Sequence, residues 1–186
     1  MPRLFIAIDL PDDVTAQVAR LCAGLPGIRW LDADQLHLTL RFVGEVAHDV
    51  FVDIGQGLAE VSARPFELRL KGLGMFPPRG APHTLWVGVS EPEGLTQLKR
   101  RVDRVVEDAG VESERRKFQP HVTIGRLREP PPEPRLGSWL AGRSLFTSSP
   151  FLVSGFTLYS SHLRADGPLH TREAVYDFVS GFAERV

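Results

Sequence analysis

The most constraining feature of this sequence is a short pattern, His-apolar-Thr-apolar, that occurs at residues 37–40 and again at residues 121–124. Alternation of this kind is typical of a half-buried β-strand, because successive side chains of a strand point to opposite faces. In both copies we expect the apolar residues to face a core, and the His and Thr residues to face the other way. The expected core residues are Leu38, Leu40, Val122 and Ile124, and those of the opposite surface are His37, Thr39, His121 and Thr123.

The recurrence of the pattern indicates function. A single copy is most simply an ordinary half-buried strand, but two copies, each followed by an Arg, indicate an internal duplication. Two such strands set face to face would bring two imidazoles and two hydroxyls into one cleft. Histidine titrates near neutral pH, so one imidazole can donate a proton while the other accepts one. We therefore predict that His37 and His121 are catalytic.

An Arg follows each copy at a different spacing. Arg41 lies four positions after His37, so regular alternation places it on the same face as His37; the alternative is a surface Arg that points to solvent. Arg126 lies five positions after His121, which is the wrong parity for a regular strand. For Arg126 to reach the cleft, the strand must bulge, twist or end near Gly125, and a glycine permits this.

Composition excludes several classes of protein. The 186 residues carry a net charge of −1, which excludes a strongly basic protein that binds long nucleic acid through many phosphates, but not a site for a small anion. The single cysteine, Cys22, cannot form an internal disulfide and fits a reducing compartment. The sequence has no run of 18 apolar residues, and we expect the apolar run 4–10, which is short and contains Asp9, to be a strand and not a signal peptide. We expect a cytoplasmic, monomeric protein that does not bind membranes.

The sequence carries no signature of a metal or cofactor site. It contains no His-Glu-x-x-His pattern, no other ligand spacing for zinc and no P-loop. Gly72 and Gly74 follow a predicted strand, but no helix pattern comes after them, so a dinucleotide fingerprint is excluded too. We expect neither a metal nor a cofactor.

Periodicity predicts helices interleaved with strands. The predicted helices lie at residues 11–24, 47–63, 94–109 and 136–141, and the predicted strands at 4–10, 28–31, 36–43, 65–73, 84–89, 120–127, 151–158 and 174–182. The Gly- and Pro-rich stretch 72–82 and the polar stretch 160–171 are predicted to be loops. Since the strands alternate in polarity, they favour antiparallel or mixed sheets with helices on one face, an α+β class.

Together with the opening stretch 3–11, the two motifs resemble those of the 2H phosphoesterase superfamily. Within it the chain is most similar to the bacterial and archaeal RNA 2′,3′-cyclic phosphodiesterases, also called 2′-5′ RNA ligases. The resemblance covers nearly the whole length and includes residues 41–45, 72–77, 85–89 and 118–120. It implies a single domain over residues 1–186, made of two interwoven, pseudo-symmetric lobes. Each lobe would be a small antiparallel sheet backed by helices, with the active-site cleft between them.

The resemblance also implies roles for the motif residues. His37 would donate a proton to the leaving 3′ oxygen of a 2′,3′-cyclic phosphate, and His121 would activate water; nothing in the sequence orders the two roles. The residues expected to bind the phosphate are Thr39, Thr123, Arg126 and Arg41. One departure concerns position 170, where members of the family usually carry an aromatic residue, often Tyr, and this chain has His170.

Several alternatives stay open at the level of the sequence. The same site could join RNA ends through a 2′-5′ bond, with a sugar hydroxyl in place of water. The substrate could be a small cyclic phosphate, such as a nucleotide or an ADP-ribose derivative. A non-catalytic module that binds RNA ends is a hypothesis of another class, although a binder has no need for two proton-transfer groups. A metal-dependent hydrolase is the least favoured, and sensitivity to EDTA would identify it.

Overall fold

The computed structural model describes residues 3–78, 81–90, 93–127, 133–164 and 167–178. Within these ranges the chain forms four α-helices and ten strands, which confirms the predicted α+β class. The helices are α1 (Asp12–Ala19), α2 (His48–Ala59), α3 (Glu93–Asp108) and α4 (Glu133–Ala141), and a short 3-10 turn covers Ala33–Gln35. All four helices overlap the segments that periodicity predicts. The last residues of the strand predicted at 174–182 lie outside the described residues.

The strands form one large antiparallel sheet and one small one. Their bounds are β1 (Arg3–Asp9), β2 (Ile28–Trp30), β3 (His37–Glu45), β4 (Phe66–Leu68), β5 (Leu70–Phe76), β6 (Thr84–Val89), β7 (His121–Leu127), β8 (Phe151–Val153), β9 (Gly155–Arg164) and β10 (Gly167–Asp177). The order in the large sheet is β10-β9-β1-β3-β7-β6-β5, with β2 paired to β7, while β4 and β8 pair separately. Every recorded strand pair is antiparallel.

The large sheet consists of two halves that barely touch. Strands β10, β9, β1 and β3 form one half, and β7, β6, β5 and β2 form the other. The halves join between β3 and β7 through a single residue pair, Leu38 opposite Val122. These are the apolar residues directly after the two motif histidines, so the junction brings His37 and His121 to the same place.

Apolar burial explains how the helices pack on the sheet. β1 is buried over five consecutive residues, from Leu4 to Ile8, and lies between β3 and β9. The fully buried residues of α2 and α3 include Ile54, Leu58, Leu98 and Val102. Full burial of each such side chain contributes about 1.5–3 kcal/mol, so this shared core holds the helices to the sheet.

Two stretches that composition assigns to loops are strands. Much of the Gly- and Pro-rich stretch 72–82 belongs to β5, where a Cβ on Gly74 would lie 2.2 Å from the ring of Trp86. Glycine is there because the Trp86 ring crosses the strand closely, and not because the chain turns. The polar stretch 160–171 is mostly the β9–β10 hairpin. β10 is an edge strand, where polar side chains are common.

No helix within the described residues has the length and apolar character needed to cross a bilayer.

Candidate active site

A cavity of about 480 Å³ lies where the two halves of the sheet meet. Five of the six site residues predicted from the sequence line it, from both halves; the exception is Arg41. The polar and aromatic residues of its wall are Arg3, Phe5, Arg29, Gln35, His37, Thr39, Phe42, His121, Thr123, Arg126, Ser161 and His170. We refer to this cavity as the cleft.

His37 lies on an aromatic floor. Its ring stacks on that of Phe5, with 4.9 Å between centroids and 27° between planes, and Phe5 in turn stacks on Tyr159 at 5.0 Å. Ala7 is buried in the same small cluster as Phe5 and Tyr159. The His37 ring also hydrogen-bonds to the backbone of Gln35. Stacking and this bond together hold the imidazole in one orientation.

His121 has a similar environment in the other half of the sheet. Its Nδ1 is 2.7 Å from the carbonyl oxygen of Gln119, and because a carbonyl can only accept, Nδ1 donates. This bond leaves Nε2 as the nitrogen available for proton exchange. The ring lies edge-on to Phe76 at 4.9 Å and tilted against Trp86 at 6.1 Å. Both motif histidines are therefore bonded to the backbone two residues earlier and flanked by aromatic rings.

The cleft favours the neutral form of both histidines when no substrate is bound. Burial, and next the charge of His170, lower the pKa of His37 from 6.5 to about 4. Burial also lowers the pKa of His121. A phosphate anion between the two rings would favour the protonated forms and so raise both pKa values. The site can therefore hold one neutral and one protonated imidazole once an anion has entered.

A β-bulge brings Arg126 into the cleft. Thr123 and Gly125 lie opposite adjacent residues of β6, so Ile124 is an extra residue in β7. An extra residue reverses the alternation beyond it, which puts Arg126 on the same face as Thr123 despite its odd spacing. Arg126 is exposed and lines the cleft.

The same irregularity has the opposite effect on Arg41. Thr39 and Arg41 lie opposite adjacent residues of β1, so Leu40 is the extra residue of β3 and Arg41 turns to the helix side of the sheet. The prediction that Arg41 faces the cleft is wrong. The guanidinium is 2% exposed, and its Nη1 lies 3.6 Å from a carboxylate oxygen of Asp103 and 3.7 Å from one of Glu114.

Phe42 is a cleft residue that alternation does not predict. It follows the bulge of β3 as Arg126 follows that of β7, so the two residues occupy equivalent positions in the duplicated motif. Its side chain is 62% exposed and lines the cleft. An exposed aromatic ring in the same cleft as the two histidines can stack on a planar ring of a ligand. In the sequence, Phe42 lies five positions after His37, as Arg126 does after His121. This spacing indicates a cleft residue only if both strands are known to bulge.

A polar network lies behind the aromatic floor. The Asp9 carboxylate accepts hydrogen bonds from the hydroxyls of Thr157, at 2.9 Å, and Tyr159. It also pairs with Arg172, whose Nη2 lies 3.4 Å away. Asp9 raises the pKa of His37, although by less than burial lowers it. The network fixes the Tyr159 ring on which Phe5, and through it His37, is stacked.

Within the described residues, no group of three His, Cys, Asp or Glu side chains is placed to hold a metal ion.

Comparisons with known proteins agree with this architecture. The family model described as the 2′-5′ RNA ligase superfamily matches residues 4–165. The RNA 2′,3′-cyclic phosphodiesterase of Archaeoglobus fulgidus is 30% identical over 178 residues, which cover 94% of this chain and 99% of the relative. The protein of the same name from Thermus thermophilus is 35% identical and covers 91% of this chain and 86% of the relative.

A solved structure has the same fold. The crystal structure of E. coli LigT complexed with 3′-AMP superposes with a TM-score of 0.78 at 26% sequence identity, over 96% of this chain and 99% of that one. Because the family model spans most of the sequence, the chain belongs to the 2′-5′ RNA ligase superfamily.

Proposed function

We propose that this protein hydrolyses the 2′,3′-cyclic phosphate at the end of an RNA to a 2′-phosphate, with His37 and His121 as the acid and base. The observation that carries the proposal is the meeting of two oriented imidazoles, one from each half of the sheet, in a single cleft. The relatives named RNA 2′,3′-cyclic phosphodiesterase support the choice of substrate.

The reaction needs two proton transfers on opposite sides of phosphorus. One histidine, as the base, takes a proton from water as the water oxygen bonds to phosphorus. The bond between phosphorus and the 3′ oxygen breaks, and the other histidine gives its proton to that oxygen. The products are a 3′-hydroxyl and a 2′-phosphate, with one imidazole protonated and the other neutral, reversed from the start. We assign His37 as the acid and His121 as the base.

Three side chains can stabilise the charge that grows on the phosphate. The hydroxyls of Thr39 and Thr123 lie on the cleft face of the two motif strands and can donate to the non-bridging oxygens. Arg126 can make two parallel hydrogen bonds to such oxygens, and this paired interaction is stronger than a single hydrogen bond. Loss of one donor of this kind typically lowers kcat by about 10²–10³. These groups perform the charge stabilisation for which other phosphodiesterases use metal ions, so we propose that the hydrolysis is independent of metals.

The test uses a short RNA that ends in a 2′,3′-cyclic phosphate, incubated with the purified protein in EDTA. We expect one product, 18 Da heavier, which a 3′-phosphatase cannot dephosphorylate. H37A and H121A should each abolish turnover. H83A is the matched control, because His83 bonds to Thr84 and does not line the cleft.

Absence of turnover by the wild type on RNA, both with and without EDTA, would contradict the proposal. A mononucleotide 2′,3′-cyclic phosphate, assayed in parallel, separates an RNA enzyme from one that acts on small cyclic nucleotides. A 5′-hydroxyl RNA, added in a further reaction, detects 2′-5′ ligation, in which a sugar hydroxyl takes the place of water. Turnover that EDTA abolishes would contradict metal independence alone.

A further inference from the structure

A third histidine lies beside His37 in the cleft. His170, on β10, is opposite Ser161 of β9. Its ring centroid is 5.6 Å from that of His37, with the planes perpendicular, and 5.0 Å from that of Phe5. Both imidazoles therefore contact the ring of Phe5. Neither the motif nor the proton transfers proposed above account for His170.

Gln35 makes hydrogen bonds to the segments that carry both histidines. Its Nε2 donates to the carbonyl oxygen of Pro168, two residues before His170, at 3.3 Å. Its backbone bonds to the ring of His37, two residues after it. The Nδ1 of His170 is buried and has no hydrogen-bond partner among the described residues. Burial of a polar group without a partner disfavours its charged form, and burial lowers the pKa of His170.

Within the described residues, several charged and titratable groups lie around this histidine pair or line the same cleft. They are Asp9 and Arg3 of β1, Asp34 of the 3-10 turn, Arg29 of β2, His121 and Arg126 of β7, Tyr159 of β9 and Arg172 of β10. Asp34 raises the pKa of His170, whereas burial lowers it by more. Asp9 is already bonded to Thr157, Tyr159 and Arg172, so its charge is shared among several partners.

We propose that His170 is a positioning residue for His37: it confines the His37 ring from the side and, when protonated, opposes a second positive charge on it. This inference rests on the proposed function, because it assigns the proton of His37 a role in turnover. Two groups this close titrate as a coupled pair, in two steps that belong to both. The number of protons bound in the cleft at a given pH then depends on His37, His121 and His170 together.

The direct test is an NMR titration of the histidine side chains. H170Q removes the titrating group, and H170Y keeps a neutral ring against Phe5 should H170Q not fold. In each variant we expect the titration of His37 to move to higher pH by about one unit, the scale of strongly coupled sites. H162Q is the matched control, because His162 is an exposed histidine of the adjacent strand β9 and does not line the cleft.

The pH dependence of kcat/KM supplies a second readout. Removal of His170 should move the limb of the profile that His37 sets to higher pH. Because kcat/KM reports the ionisations of the free enzyme, the limb that moves is the one that His37 sets. A His37 titration that is unchanged or lowered in a folded His170 variant would overturn the inference. Because the titration needs no turnover, it decides the coupling even if the proposed hydrolysis is not found.

Discussion

At the scale of single residues, the two motif histidines follow the same sequence pattern and both contact aromatic rings, but those rings belong to different strands. His37 stacks on Phe5 and lies beside a third histidine, whereas His121 contacts both Phe76 and Trp86. The sequence predicts both histidines because the motif repeats. It does not predict their neighbours, since these come from strands far along the chain.

Burial of neutral His37 makes stability depend on pH. Its pKa is about 4 in the folded protein and near 6.5 when exposed, so between these values the unfolded chain binds more protons. The stability present above pH 6.5 is therefore lost as pH falls to about 4, by an amount on the order of 3 kcal/mol. We expect H37Q to lose less stability than the wild type over this window, measured by urea unfolding at both ends.

The exposed His162 again provides the control for this prediction. H162Q should lose as much stability on acidification as the wild type, since it leaves His37 in place. An acid-induced loss in H37Q equal to that of the wild type would show that other groups cause the destabilisation.

At the scale of elements, alternation predicts side-chain directions correctly only as far as the bulges. Leu38 and Val122 are fully buried, and His37 and His121 face the cleft, as the pattern requires. Beyond the extra residue of each strand the directions reverse, so Arg41 leaves the cleft. A bulge depends on pairing with a neighbouring strand, and one strand's own sequence does not reveal it. The odd spacing of Arg126 can place it in the cleft only with a bulge, so a bulge has to be considered. The even spacing of Arg41 fits a regular strand, so this spacing gives no sign of the bulge.

Arg41 is consequently expected to matter for stability and not for substrate binding. Its Nη2 donates to the carbonyl oxygen of Glu112, and the guanidinium lies among Asp103, Glu114 and Lys99. Removal of one partner from a buried ionic cluster costs about 3–5 kcal/mol, and the partial exposure of the two carboxylates lowers this to about 2–3 kcal/mol. R41M should show this loss in urea unfolding, with KM unchanged in the folded enzyme.

Arg101, an exposed residue of α3, is the matched control for Arg41. R101M should change neither stability nor KM appreciably. A tenfold rise in KM for R41M, with stability retained, would return Arg41 to the substrate site and contradict its placement on the helix side of the sheet.

At the scale of the whole molecule, the cleft depends on contacts between parts of the chain that are distant in sequence. Its walls include residues from the start of β1, from both motif strands and from the β9–β10 hairpin. Composition predicts a loop for much of that hairpin. The reason is that an edge strand with one face on a polar cleft has few apolar residues, so its alternation is weak. The two-lobed cleft is predicted from the resemblance to a family, whereas periodicity alone predicts only the α+β class.

The charge of the cleft differs from that of the molecule. The chain carries a net charge of −1, yet Arg3, Arg29 and Arg126 line the cleft, and no Asp or Glu does among the described residues of its wall. Arg3 also pairs with Glu45 at the surface. A cleft with one sign of charge attracts substrates of the opposite sign, and salt weakens this attraction. We therefore expect KM for an RNA substrate to rise with salt while kcat changes little.

The size of the salt effect reports how many phosphates the protein contacts. For single-stranded nucleic acid, log affinity falls by about 0.7 per contacted phosphate for each tenfold rise in salt. A cleft with three arginines allows about one to three contacts, so the expected slope lies between about −0.7 and −2. A mononucleotide cyclic phosphate should give the shallow end of this range. A steeper slope for RNA would require basic surface outside the cleft, and no slope at all would mean that the arginines of the cleft do not meet the RNA backbone.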